Sequence, residues 1–555
     1  MTIVTLVNVI YACFTIVVVH ALINLFTRRV NRLPPGPTLW PIVGNIPYLS
    51  KIPHHSLAAL ATQYGPLMHL RLGFADVVVA ASASVAAEFL KTHDTKFSSR
   101  PQMSAAKHIG YHNQDMVFSP YGPRWRMLRK ICLVHLFSTK ALDDARHIRQ
   151  AGAEGSEGQE KRKGRRCRTA QRCLPSSVTR FSAHSGVQAV QSQEEISILT
   201  RALFGAGESV VKLGHLLSIC TTNALARVII GRRVVEDGSG DNKPKSNEVK
   251  DMVVELVVLA GEVNISDLVP ALEWLDLQGL TRKMKKLHVR FDSFLSTVLE
   301  EHKNGSNAGS CHIDLLSTLI LLKDDEDGNE VKLSDIEIKA LLMNLFVAGT
   351  DTSSTTVEWA ISELIRHPQL LKQAQVEMDT VVGRDRLVTE LDISQLTFLQ
   401  AIVKETLRLH PATPLSLPRI ASESCEINGY NIPKGSVLLV HVWAIARDPE
   451  MWTDPLTFQP SRFLPGGEKP YVDVKGNHFE IIPFGAGRRI CAGMSLGLRM
   501  VHFLTATLVQ VFDWELANEL EPTNLNMDEA YGLGLRRAAP LMVHPKPRLA
   551  SHVYN

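Results

Sequence analysis

One cysteine sits on a glycine-rich loop, Phe484-Gly485-Ala486-Gly487-Arg488-Arg489-Ile490-Cys491-Ala492-Gly493. The glycines let backbone pass close to a flat, bulky partner. An apolar run with helical spacing, residues 494–511, follows directly. A thiol at a helix N-terminus beside arginines is expected to have a lowered pKa, and its thiolate is a metal ligand. Arg489, two residues before the thiol, can neutralise an anion there. A lone cysteine is often only a buried structural residue. Here every position of F-x-x-G-x-R-x-C-x-G is filled, which favours the metal ligand.

A second group lies inside a helix. Ser334 and Glu337 form a capping box that predicts a helix running to about Arg366, before His367-Pro368. Its middle carries Ala348-Gly349-Thr350-Asp351-Thr352-Ser353. Glycine costs about 1 kcal/mol against alanine in a helix interior, and threonine hydroxyls can divert to backbone carbonyls. A locally weakened polar turn is expected, with a plain helix kink as the alternative. A third group is Glu405-Thr406-Leu407-Arg408, a carboxylate and a guanidinium three apart on one helix face. Exposed, such a pair contributes only about 0.2–0.5 kcal/mol. Trp125 and Arg129, four apart, likewise share a face of a helix.

Together these motifs resemble the cytochrome P450 monooxygenases, over nearly the whole chain. The resemblance implies a mainly α fold with small β-sheets. It implies Cys491 as the axial ligand of haem b, iron protoporphyrin IX, with Phe484 and Gly493 in the haem loop. Trp125, Arg129, Arg419 and Arg489 would hold the haem propionates. A-G-x-D-T matches the oxygen-activation groove, so Thr352 would hydrogen-bond the oxygen species on the iron and Asp351 would help relay protons, as general acid catalysis requires. Glu405, Arg408 and Arg462 match a buried structural network that locks the core around the haem loop.

The rest of the chain must position and locate this chemistry. Its 555 residues, 45% hydrophobic, suffice for a large core. The net charge of +4 is local. Residues 151–193 hold eight Lys/Arg against three Glu, and the remainder is nearly balanced, so nothing supports nucleic-acid binding. The eight cysteines show no zinc or disulfide spacing, which fits a reducing, cytosol-facing protein. Residues 1–27 read as a membrane-anchor helix. Its apolar core from Ile3 to Phe26 would span about 36 Å, enough for a hydrocarbon layer of about 30 Å. Arg28, Arg29 and Arg32 put the following chain in the cytosol, which predicts a single-pass protein of the endoplasmic reticulum membrane. Residues 28–38, with Leu33-Pro34-Pro35-Gly36-Pro37, form a stiff hinge, and residues 39–555 the catalytic domain. A hairpin is predicted over residues 67–82, turning at Gly73. Residues 151–193 are rich in Gly, Ser and Arg and read as a disordered insertion, with helical periodicity resuming at Glu194.

Val77-Val78-Val79-Ala80-Ala81-Ser82, Gly466-Gly467-Glu468-Lys469-Pro470 and Val472-Asp473-Val474-Lys475-Gly476 resemble plant flavonoid 3'-hydroxylases. That likeness implies a flavonoid substrate, with electrons from NADPH through a separate cytochrome P450 reductase. In Tyr531-Gly532-Leu533-Gly534-Leu535-Arg536-Arg537, relatives carry Thr at the position of Gly534 and Gln at that of Arg536. This segment is expected to touch substrate and to bear on 3' against 3',5' selectivity. The other readings are a 3',5'-hydroxylase or other phenolic hydroxylase, and an inactive membrane-anchored scaffold.

Overall fold

The computed structural model describes residue 15 and residues 32–137, 184–235, 248–304, 314–324 and 333–554. The anchor segment, most of residues 151–193 and the acidic loop at 325–328 lie outside them.

Helices dominate. The principal ones are α1 (Pro53–Tyr64), α2 (Pro123–His135), α3 (His184–Gly205), α4 (Leu213–Ile230), α5 (Glu248–Gly261), α6 (Leu280–Lys303), α7 (Asp335–Arg366), α8 (Pro368–Val381), α9 (Thr397–Leu409) and α10 (Met494–Val511). α7 is the axis of the molecule. At 1.5 Å per residue its 32 residues span about 48 Å. The capping box starts it as expected: the Ser334 hydroxyl accepts from the Glu337 amide, and the Glu337 carboxylate accepts from the Ser334 amide. Pro368 stops it, since the residue before a proline is driven out of the helical region. α4, α9 and α10 pack along α7 and bury two large apolar clusters. α4 and α10 are long and apolar enough to cross a membrane, but both are mostly buried in the protein.

Four strands make the larger sheet: β1 (Leu67–Leu72), β2 (Ala75–Ala80), β3 (Arg419–Ile420) and β4 (Val437–Val440), in the order β1-β2-β4-β3. The predicted hairpin is present, with Leu67 opposite Ala80 and Gly73 at φ +59° in its turn. The proline-rich segment does not hang free. Pro34 and Pro37 are buried, and the Pro35 carbonyl accepts from the His69 amide of β1. α3 starts at His184, ten residues before the point where the spacing of apolar residues becomes clear. Its first turns are rich in Ser, Gln and Gly. Ile196, Leu199 and Leu203 bury its later part against Leu213 and Leu217 of α4.

Near the C-terminus, β5 (Phe512–Leu516) pairs with β8 (Met542–Pro547), and a short hairpin joins β6 (Glu529–Ala530) to β7 (Arg536–Arg537). Glu529 clamps that hairpin to the body. Its Oε2 receives His54 and His55 at 2.7 and 2.8 Å, and its Oε1 receives the Trp443 indole at 3.1 Å. Burial alone would raise this carboxyl. The His54 hydrogen bond, the Arg447 charge and the Trp443 hydrogen bond outweigh burial and hold it down at about 2, against an ordinary 4.5. A depressed folded-state pKa stabilises the fold above the unfolded-state value, and that contribution disappears as pH falls through the folded-state value. Glu529→Gln is therefore expected to lower the thermal midpoint at pH 7, with the gap to the parent closing between pH 4.5 and about 2.

Candidate active site

A cavity of about 310 Å³ lies between α7 and the loop preceding α10. Cys491 borders it on one side; Ala348, Gly349, Thr352 and Ser353 of α7 border it too. The loop is held by its own backbone. The Cys491 amide donates to the Phe484 carbonyl at 2.9 Å, and Gly485 and Gly487 adopt φ of +69° and +70°. A Cβ at Gly487 would stand 2.4 Å from the Leu90 carbonyl oxygen, so only glycine fits there.

The Cys491 thiol is open to the cavity yet walled in by protein. Burial pushes it up, and the Gly493 amide and the Arg129 charge pull it down without prevailing. The spacing alone predicted a lowered pKa; the structure reverses that sign, because desolvation at this depth outweighs the dipole and one guanidinium.

α7 is continuous through the polar turn. The Thr352 hydroxyl donates to the Ala348 carbonyl at 2.7 Å and the Thr356 hydroxyl to that of Thr352 at 2.8 Å. These bonds load the backbone without breaking it. Gly349 packs closely on α4: a Cβ there would lie 2.7 Å from Leu225 Cδ1, so that side chain would have to turn aside. The weakened turn predicted for this stretch is thus an intact helix whose glycine accommodates a neighbour.

Among the described residues four arginines line the cavity, Arg100, Arg129, Arg419 and Arg489, and no acidic residue does. Arg489 donates to the carbonyls of Ser98 and Ser119, both at 2.6 Å, and lies 4.3 Å from the Trp125 ring. Arg419 donates to the Ala486 carbonyl at 2.9 Å and stands 3.4 Å from Asp94. Arg129 lies 5.5 Å from the face of Trp125, whose indole donates to the Met116 carbonyl. Burial depresses all four guanidinium groups, with Arg419 and Arg489 at about 10. Asp94 faces Arg419 and the buried Asp115 acts on Arg100 and Arg489, so two carboxylates stand against four cations, and the surplus calls for an anionic occupant. A haem group, with its two carboxylates, would meet that demand, and Cys491 would be its ligand from the chain. Arg100 was not singled out from the sequence, and its only signal there is the pair Arg100-Pro101. It donates to the Val117, Leu417 and Pro418 carbonyls, which turns it into the cavity rim.

The Glu405 network is assembled behind this site. Arg408 grips Glu405 at two points, each 2.7 Å, and Arg462 reaches the same carboxylate at 3.4 Å. All three are almost fully buried. Glu468, whose role the spacing did not suggest, completes the set 2.6 Å from Arg462.

The segment 531–537 is placed otherwise than expected. Asp351 does not line the cavity, and its carboxylate turns to Arg536. None of residues 531–537 lines it either. Gly534 and Leu535 lie one layer out, behind Ala412, whose carbonyl accepts from the Leu535 amide at 2.8 Å.

The cytochrome P450 family model matches residues 34–155 and 162–542. The chain belongs to the cytochrome P450 family. That match leaves only residues 156–161 unassigned in the middle of the chain, a narrower gap than the 151–193 read from composition. The chain is 61% identical to a flavonoid 3'-monooxygenase of Petunia hybrida, with 98% of this chain and 97% of the relative covered. It is 56% identical to a flavonoid 3'-monooxygenase of Arabidopsis thaliana, covering 97% of each. A flavonoid 3',5'-hydroxylase of Crocosmia x crocosmiiflora is more distant, at 47% identity over 96% of this chain and 95% of the relative. As a P450 the chain is a haem-iron monooxygenase served by a redox partner.

Proposed function

We propose that this P450 inserts one oxygen atom at the 3' carbon of a flavonoid B ring, with naringenin, dihydrokaempferol and kaempferol as the substrate class. The observation that carries this is the juxtaposition of Cys491 and Thr352 across one cation-rimmed cavity, in a chain 61% identical to a 3'-monooxygenase. Haem b, when bound, supplies the oxygen-activating iron. Cys491 would ligate its iron, and Arg129, Arg419, Arg489 and Arg100 would hold its propionates, with Trp125 packed among them. Val117, Leu225, Val228, Ile229, Leu345 and Val442 line the rest of the cavity with apolar surface suited to a planar phenol. These walls exclude water from the reacting ring. The second atom of dioxygen leaves as water, which needs two electrons and two protons. NADPH provides the electrons through NADPH–cytochrome P450 reductase. Thr352 holds a hydroxyl proton at the cavity wall, and Asp351, one position along α7, is the carboxyl that replenishes it.

The protein is anchored by residues 1–27 in the endoplasmic reticulum membrane, with the catalytic domain cytosolic. An apolar surface supports this placement. Trp40, Ile42, Phe74, Trp274 and Leu277 are all exposed. Backbone bonds tie their segments together, Gly73 amide to Val43 carbonyl and Phe74 amide to Leu268 carbonyl. Exposed apolar surface of this kind marks a membrane or partner contact.

Incubating microsomes that carry the protein and reductase with naringenin and NADPH tests the assignment. A product with one added B-ring hydroxyl is expected. Trihydroxylated B rings as the sole product favour the 3',5' reading, and no product at all overturns the assignment.

A further inference from the structure

Among the described residues one trio of His, Cys, Asp or Glu side chains converges closely enough to hold a metal ion: His54, His55 and Glu529. None of the three lines the cavity. His54 and His55 stand in the first turn of α1, and Glu529 begins β6, 475 positions beyond His54. Both Nε2 atoms meet the same oxygen, Glu529 Oε2, at 2.7 and 2.8 Å. The two imidazole rings cross at 73° with their centres 4.6 Å apart. Two imidazole nitrogens and one carboxylate oxygen are a recurring ligand set for zinc, with water in the fourth place.

Neighbours that are not ligands hold the trio in position. The Trp443 indole donates to Oε1 at 3.1 Å, which fixes the carboxylate and leaves Oε2 to the histidines. The His54 carbonyl accepts from His441 Nε2 at 2.8 Å. Outer partners of this kind orient the ligands of a metal. The protonation states also suit an ion. The Glu529 carboxyl, held at about 2, is ionised at neutral pH, and burial lowers His54, so its ring is neutral there. His54 Nδ1 has no hydrogen-bond partner, so it can carry the ring proton when Nε2 takes a metal.

The side chains of His54 and Glu529 are 0% and 8% exposed and that of His55 44%, so an ion enters on the His55 side. Donors around a tetrahedral zinc ion stand about 3.3 Å apart, so the cluster must open by about half an ångström. His55 is the side chain with room to swing. Two features oppose a cation: the positive end of α1, and Arg447, 3.8 Å from Oε1. A hard cation, which seeks oxygen ligands, finds a single carboxylate here and too little to overcome them.

We propose that His54, His55 and Glu529 form a binding site for a divalent ion of the zinc class, which clips the β6–β7 hairpin to the start of α1. That hairpin carries Leu535, whose amide donates to Ala412 of the cavity wall, so the ion stiffens the layer behind the wall. The inference does not depend on which substrate the cavity takes.

The test uses the full-length, haem-loaded protein after chelator treatment. Equilibrium dialysis against Zn2+ counts zinc per chain, and thermal midpoints are read with and without the ion. The wild type is expected to take up one zinc more than H55A, and Zn2+ should raise its midpoint while leaving that of H55A in place. E529Q should lose the ion as H55A does. H55C puts a sulfur ligand at the same position and should regain both the ion and the rise. Mg2+ should move no midpoint. Equal zinc counts and equal midpoint changes in wild type and H55A overturn the site, as does a rise with Mg2+ as large as that with Zn2+.

Discussion

Cys491→Ser abolishes the thiolate-type carbon monoxide band of the reduced protein and brings flavonoid hydroxylation to background, while the polypeptide stays folded. The exchange is nearly isosteric, so the loop kept in place by the Phe484 carbonyl and by Gly485 and Gly487 has no steric reason to move. What is lost is an axial donor able to push electron density toward the iron. A serine oxygen in that walled-in position is a far weaker anion than sulfur, and even the native thiol is held up by burial until a metal takes it. The four lining arginines remain, so haem uptake is weakened rather than removed. A ligand present at about a thousand times its Kd stabilises a fold by about 4 kcal/mol. Part of that should survive in the variant as a rise in thermal midpoint on adding haem. Retention of the parental carbon monoxide band would show that another residue is the ligand.

Glu405→Gln is expected to destabilise the fold by about 3–5 kcal/mol, the usual cost of breaking a buried ion pair by removing one partner. One carboxylate serves two guanidinium groups here, with Arg408 at 0% and Arg462 at 2% exposure. Arg408 would keep the carbonyls of Ala446, Pro455 and Thr457 but lose the negative charge it faces. Arg462 would keep Glu468, Asp454 and Thr453. Total stabilities of about 5–15 kcal/mol make this a large fraction. The urea midpoint and the yield of haem-loaded protein should both fall steeply. Glu468→Gln removes the outer, partly exposed partner and should cost about 1 kcal/mol or less. Equal losses in the two variants would show that Glu405 is not the centre of the network.

Local chemistry was enough to locate much of this molecule. The capping box and the proline stop bounded α7 to within a residue, because both act within four residues of chain. The hairpin over β1 and β2 followed from two apolar runs on either side of one glycine. The cysteine loop could be read because each of its constraints, glycine conformation included, lies within ten residues. The Glu405 and Arg408 pair was legible from its spacing, while Arg462 was implied by the family resemblance. Glu468 was not legible, since nothing local distinguishes it from a solvated carboxylate.

Three things depended on packing at long range. The sign of the Cys491 shift turned on desolvation, which sequence neighbours do not report. The close neighbour of Gly349 is Leu225, more than a hundred residues away. The partner of Asp351 came from a hairpin 185 positions further on, where Gly534 leaves room and Arg536 takes it. Sequence determined which chemical groups this protein owns and which short segments present them. Tertiary structure decided which groups are dry and which face one another, because charge and burial are properties of neighbours brought together by the fold.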